Sequence, residues 1–234
     1  MKTANRLFIA LVAFTSMLSF ANAGLASEVA NNQKEYMKIA NAAAGILEET
    51  IHMPDRGIPH SLVSNAKCVA SIPNVVSAGL VFGARYGKGL VSCRIDENHW
   101  SRPSYLTIAG GSWGLQIGIE STDVILVFMN PNAIELLSHD NFTLGGDASV
   151  AAGPIGRNAQ MGTDYKLTSE VYSYSRSRGL FAGLTFSGSL LKSDENFNSM
   201  AYGSVPAHQL LSTRSYGEYD SPDVYARALM MYVK

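Results

Sequence analysis

Cysteine, charge and clustered histidine are all scarce in this 234-residue chain, and each shortage removes a class of function. Cys68 and Cys93 stand alone, so no Cys-x-x-Cys pair exists, and His52, His60, His99, His139 and His208 show no paired metal spacing. No metal site and no cofactor are implied. Charged residues make up only 16%, with 18 Lys+Arg against 19 Asp+Glu. Without a basic field, a nucleic-acid partner is not expected. The chain also lacks a Pro- or Ser-rich linker and a clean internal repeat, so one domain is expected.

The N-terminus has a short positive region, Lys2 and Arg6, then an uncharged apolar run from Leu7 to Phe20 and the small residues of Ala21-Asn22-Ala23. The run of about 14 residues is short of the roughly 20 that span a bilayer. Residues 1–23 therefore read as a secretory signal peptide cleaved near Ala23, with residues 24–234 as the mature domain in the periplasm or outside the cell. Gly24, not cysteine, follows, so no lipid anchor is indicated there. The mature net charge is −3. Export permits a Cys68–Cys93 bridge closing a loop of about 26 residues, worth on the order of 3 kcal/mol; two buried free thiols are the alternative.

Ser27 to Thr50 has helical spacing, and Pro59 suits the first turn of a second helix through Ser61–Val69. From Val75 the period shortens. Val76–Gly83 and Gly89–Ile95 read as strands joined by a turn around Tyr86-Gly87-Lys88, followed by strands at Ser104–Ala109, Leu115–Ile119 and Asp123–Met129. A short helix is expected over Ala133–Ser138. Strand character returns at Phe142–Ala152, and Tyr165, Leu167 and Val171 share a face. Leu180, Ala182, Leu184, Phe186 and Leu190 share another, and a helix runs from Ser221-Pro222 to Tyr232.

Of the 21 glycines, Gly79, Gly83, Gly110, Gly111, Gly114, Gly118, Gly183 and Gly188 fall inside these strands, which implies bulges, curvature or close backbone approach. The expected fold is α+β: a strongly curved antiparallel sheet or half-barrel with N-terminal helices, one short mid-chain helix and a C-terminal helix.

Three segments invite a chemical reading. Gly110-Gly111-Ser112-Trp113-Gly114 matches the Gly-x-Ser-x-Gly of serine hydrolases, but strand-like alternation follows where a helix should begin. Gly83–Gly89 suggests a phosphate loop yet lacks the Gly-Lys-Ser/Thr ending. Tyr172-Ser173-Tyr174-Ser175-Arg176-Ser177-Arg178-Gly179-Leu180-Phe181 sets two guanidinium groups beside insertable side chains, as an interfacial lipid contact requires. An ordinary solvated turn is the bland alternative.

Gly145–Arg157 and Tyr174–Gly183 resemble the SYLF-domain family. Val81–Gly89, Trp100-Ser101-Arg102-Pro103, Gly114–Gly118 and Tyr202-Gly203 match it in the same order, so the resemblance covers about residues 30–205. It implies a non-enzymatic, lipid-binding domain, eukaryotic members being described as binding phosphoinositides and sometimes actin. Arg157, Arg176 and Arg178 fall on basic motif positions and become headgroup candidates, with Arg85 and Lys88 second and Leu180 and Phe181 as membrane contacts. The N-terminal helix departs from the eukaryotic pattern: residues 28–50 hold Lys34 and Lys38 against Glu28, Glu35, Glu48 and Glu49, which removes attraction to an anionic surface. The implied partner is a phospholipid or membrane surface, and actin binding is not expected to carry over. An envelope protein-interaction role, and more remotely a hydrolase using Ser112, stand as alternatives.

Overall fold

The computed structural model describes residues 33–50, 53, 57–79, 82–113, 118–138, 142–154, 169–177, 180–183, 186–218 and 221–233. Helix α1 (residues 33–50) and α2 (His60–Asn65) precede strands β1 (Cys68–Gly79), β2 (Phe82–Cys93), β3 (Ser104–Trp113) and β4 (Gly118–Phe128). Helix α3 (Ala133–Ser138), β5 (Phe142–Thr143), β6 (Val150–Ala152), β7 (Val171–Ser177), β8 (Leu180–Gly183) and β9 (Ser189–Ser193) follow. Helices α4 (Glu195–Tyr202), α5 (Ala207–Ser212) and α6 (Val224–Val233) complete the described chain.

The strands form one sheet in the order β5-β9-β3-β2-β1-β4-β7-β6. Every pairing is antiparallel except β6 with β7. On the edge of β7 away from β4, β6 pairs with residues 171–173 and β8 with 174–177. The outermost strands, β5 and β6, are joined by the short Leu144–Ser149 connection. In a flat sheet, seven steps of about 4.8 Å would separate them by roughly 34 Å. Seven residues of extended chain reach about 24 Å at most. The sheet must therefore curl, and the connection is a tight turn in which the Gly145 N–H donates to the Ala148 carbonyl at 2.8 Å.

The concave side follows from one contact. Phe128 of β4 and Phe142 of β5 lie five strands apart along the sheet, yet their rings are 6.2 Å from each other. Their face lines the interior, which is filled by Ile72, Ile108, Leu126, Leu191 and the Cys68–Cys93 pair among others. The convex face carries Val69, Leu90, Ile125 and Val127 under α1, α2, α4 and α6. Because both faces are covered, Cys68 through Pro73 are all buried without polar alternation.

Polar anchors fix the helices. Buried Asn198 of α4 accepts from the Tyr105 N–H at 2.7 Å and donates to the Ser104 and Ser193 hydroxyls. Tyr105 Oη donates to the Tyr36 carbonyl of α1 at 2.9 Å. Arg94 donates to the carbonyls of Ala66 and Val63 at the end of α2 while its guanidinium stacks on Trp100.

The half-barrel, α1 up to Thr50, α3 and the C-terminal helix agree with the sequence reading. Several local expectations do not. Tyr86-Gly87-Lys88 is not a turn: β2 runs through it, and β1 and β2 stay paired as far as Gly79 opposite Gly83. The glycines are needed for close approach, since a Cβ on Gly89 would sit 2.2 Å from the Ser71 carbonyl oxygen and one on Gly87 2.8 Å from Val75. Ser61–Val69 is not one helix, because the chain turns extended at Ala66 and β1 continues through Pro73 at a bulge. There Asn74 takes a positive φ of 50° and its N–H donates to Asp123 at 3.0 Å. Leu115–Ile119 and Asp123–Met129 are not two strands, since β4 is continuous from Gly118. Phe142–Ala152 is two short strands around a turn. Tyr165 and Leu167 lie outside the described residues.

Candidate functional site

Strand direction brings three reversals to one end of the barrel. Gly79 faces Gly118, Phe82 faces Trp113, and Arg176 of β7 faces Asp123 of β4. The β1–β2 and β7–β8 hairpins thus turn at that end, β3 ends and β4 begins there on either side of the β2–β1 pair, and β9 begins there opposite Gly110.

The sequence candidates meet different fates. Arg157 and Arg178 lie outside the described residues. Strand β8 sets Leu180 opposite Ser177 and Phe181 opposite Arg176. Arg176 donates to Asp123 at 3.1 Å and also pairs with Glu49 of α1. Asp123 meanwhile holds the Asn74 bulge, so Arg176 ties α1, β4 and β1 together. Lys88 is 2.9 Å from Asp194 and 3.9 Å above the Phe197 ring. Asp194 accepts from the Phe197 N–H as the cap of α4, and from Thr107. Both cations therefore have structural work: a headgroup at either would compete with carboxylates already in place.

Arg85 is different. It lies on β2 with its guanidinium 4.8 Å from the Phe186 ring centre, and burial pushes its pKa down. Its Nε is buried and makes no hydrogen bond. Cys68 and Cys93 face one another across β1 and β2 and are joined as a disulfide. Ser112 pairs with Gly83 within β3, and the next described element is strand β4 instead of the helix that follows a nucleophile elbow. His208 lies away from it, in an open surface groove beside Pro131, Ile134 and Glu135. Among the described residues no group of three His, Cys, Asp or Glu side chains is arranged for a metal.

The hairpin end also presents features that residue patterns alone did not disclose. On the outer face, past the covering helices, Val76 is 42% exposed, Tyr86 53% and Ile119 81%. Val76 pairs with Tyr86, and Ile119 with Ala78, which in turn pairs with Ala84; both alanines are exposed. These five residues form an uncharged apolar patch over three adjacent strands. Among the described residues, the other large exposed apolar side chains, Ile95, Met200, Tyr216 and Met231, lie on four separate segments.

Residues 109–234 match the Ysc84 family, described as "Las17-binding protein actin regulator". The chain is similar to human SH3 domain-containing YSC84-like protein 1, with 38% identity over 169 residues, 70% of this chain and 49% of that protein. Its Xenopus laevis counterpart is 34% identical over 175 residues, 74% of this chain and 52% of that one. LAS seventeen-binding protein 3 of Saccharomyces cerevisiae is 35% identical over 164 residues, 68% of this chain and 36% of that one. The chain spans about half the length of these relatives or less. With matching motifs in order along the barrel and a family match over more than half of its residues, the chain belongs to the Ysc84, or SYLF-domain, family.

Proposed function

We propose that this protein is a non-enzymatic module of the periplasm or cell envelope that binds a lipid surface through the hairpin end of its barrel. The observation that carries the reading is the patch of Val76, Ala78, Ala84, Tyr86 and Ile119, apolar and exposed on the hairpin-end halves of β1, β2 and β4. A contiguous exposed apolar patch marks an interaction site. A bilayer suits this one because the sequence that links β1 to β2, β3 to β4 and β7 to β8 (Leu80-Val81, Gly114-Leu115-Gln116-Ile117 and Arg178-Gly179) contains no acidic residue and one arginine. The barrel interior is filled with side chains, so lipid is met at the surface instead of being enclosed. Among the described residues no helix is long and apolar enough to cross a membrane, which is consistent with peripheral contact.

Flotation with vesicles of phosphatidylglycerol and phosphatidylethanolamine tests the proposal. Full burial of a large apolar side chain is worth about 1.5–3 kcal/mol, so Tyr86→Ser with Ile119→Ser should weaken partitioning by about tenfold or more. Both side chains are exposed, so the fold should tolerate the change. Partitioning that is unchanged in this variant, or a wild-type protein that does not float, overturns the reading. In the second case, in-cell cross-linking through the same patch would favour a protein partner.

A further inference from the structure

We propose that the mouth of the barrel at its hairpin end is an anion site, in which Arg85 and Ser189 grip a single phosphate-type oxyanion. The reading deepens the lipid-surface proposal and rests on it only for the source of the phosphate.

The site is a row of residues in register across five strands: Glu120 of β4, Ser77 of β1, Arg85 of β2, Gly110 of β3 and Ser189 of β9. Side chains alternate between faces along a strand. Gly110 follows Leu106 and Ile108 at even spacing, and Ser189 precedes Leu191 by two, so the row shares their interior face. It forms the layer just above the apolar filling, with Gly87 and Ile108 in the layer beneath.

Three observations point to an anion. The first is Arg85 itself: its Nε is buried without a hydrogen-bond partner, and among the described residues no carboxylate forms an ion pair with it. Leaving a buried guanidinium N–H without an acceptor is costly, and the Phe186 ring offsets only part of that cost. Partial burial also lowers the pKa of the guanidinium. The second is Ser189, whose hydroxyl is also buried and unpaired. The third lies between them. A Cβ on Gly110 would be 3.3 Å from the Ser189 oxygen and 2.9 Å from its Cα, so glycine there lets Ser189 lie close against β3 in the layer it shares with Arg85.

The row also sets the class of anion. Two strand spacings put Arg85 and Ser189 about 10 Å apart at the backbone, which suits one tetrahedral oxyanion held by a guanidinium fork and a hydroxyl. Arg85 is the only cation in the row, and Glu120 stands two strands away on its other side. A polyphosphorylated headgroup would lack counter-charges here and would meet that carboxylate. A phosphate monoester or diester fits, whether free or on a lipid.

Titration calorimetry with inorganic phosphate and with monomeric dihexanoyl phosphatidic acid tests the site, alongside the vesicle assay. Losing one charge-assisted contact should make Arg85→Gln bind about ten- to a hundredfold more weakly. Ser189→Ala should bind about three- to tenfold more weakly, and Glu120→Gln about two- to fivefold more tightly. Should Arg85→Gln fail to fold by thermal melting, Ser189→Ala and the charge-preserving Arg85→Lys carry the test, the latter expected to be intermediate. Binding of the ester without phosphate assigns a lipid source, and binding of phosphate without the ester assigns a free anion; either supports the site. Soluble binding that requires Arg85, with no vesicle binding, keeps the site and removes the membrane reading. Vesicle binding unaltered by Arg85→Gln, with no soluble ligand bound, removes the site and keeps the membrane reading. Wild-type affinities in all variants overturn the site.

Discussion

Breaking the Cys68–Cys93 bridge should cost the fold about 3 kcal/mol without changing its architecture. The two residues are partners across β1 and β2, the strands at the middle of the sheet, and both are 0% exposed on the interior face. The bridge closes the loop that becomes this hairpin, with the cysteines 25 positions apart. In the chain-entropy account, a loop of that size restricts the unfolded chain by about 3 kcal/mol at room temperature. The native sheet already holds the strands together through the register from Cys68/Cys93 to Gly79/Gly83, so most of the effect falls on the unfolded state. For a chain of this size, urea unfolding has a slope of about 2.5 kcal/mol per molar, and the midpoint should drop by about 1.2 M. The assay compares oxidised protein with protein unfolded, reduced and refolded in reductant. Native protein should resist reductant alone, because the sulfurs are out of reach until the barrel opens. Cys68→Ala with Cys93→Ala should cost somewhat more, since two buried sulfur atoms are lost as well. A midpoint shift below about 0.3 M, or thiols that titrate in the oxidised native protein, would refute this reasoning.

Arg176→Met should destabilise by about 2 kcal/mol, because it strands the half-buried Asp123 and loosens the Asn74 bulge. Glu49→Gln should cost less than about 0.5 kcal/mol, Glu49 being 56% exposed; equal losses in urea melts would contradict the assignment of Arg176 as a structural tie. Burial raises the Asp223 carboxyl above its usual range, against the opposing pull of Arg102. The folded protein therefore keeps this proton to higher pH than the unfolded chain does, and the associated stability is present in acid and lost as pH rises above about 4. The stability of wild type minus that of Asp223→Asn should accordingly fall as pH rises from below to above about 4, and a flat or rising difference in melts over that rise would count against it.

How much of this was legible in the residues depended on whether the signal was local. Alternation and β-branched content disclosed the strands, and glycine inside them disclosed curvature. Glycine at a turn and glycine under a neighbouring strand look alike in sequence, which is why Tyr86-Gly87-Lys88 read as a reversal when Gly87 and Gly89 are in fact packed on the β1 bulge. Helices α4 and α5 went unread, although Asp194 caps one and Pro206 precedes the other; each is six to eight residues long, too short for periodicity to register. Arg85 stood out as a basic residue in a glycine-rich motif. Ser189 did not, since a serine acquires meaning only when two strand pairings set it in line with an arginine 104 positions earlier. The apolar patch was hidden for the same reason, Val76, Tyr86 and Ile119 being neighbours by register alone.

The seam of the barrel has a consequence of its own. Its first and last strands are not zipped to each other by a ladder; the tight turn at Gly145–Asp147 carries the chain from one to the other. Cutting the backbone between Gly146 and Asp147 would sever that covalent hoop and leave two short edges, Phe142–Thr143 and Val150–Ala152, free to part. Each would then offer unpaired main-chain groups to another molecule. A single nick would thus convert a self-limiting fold into one prone to edge-to-edge assembly.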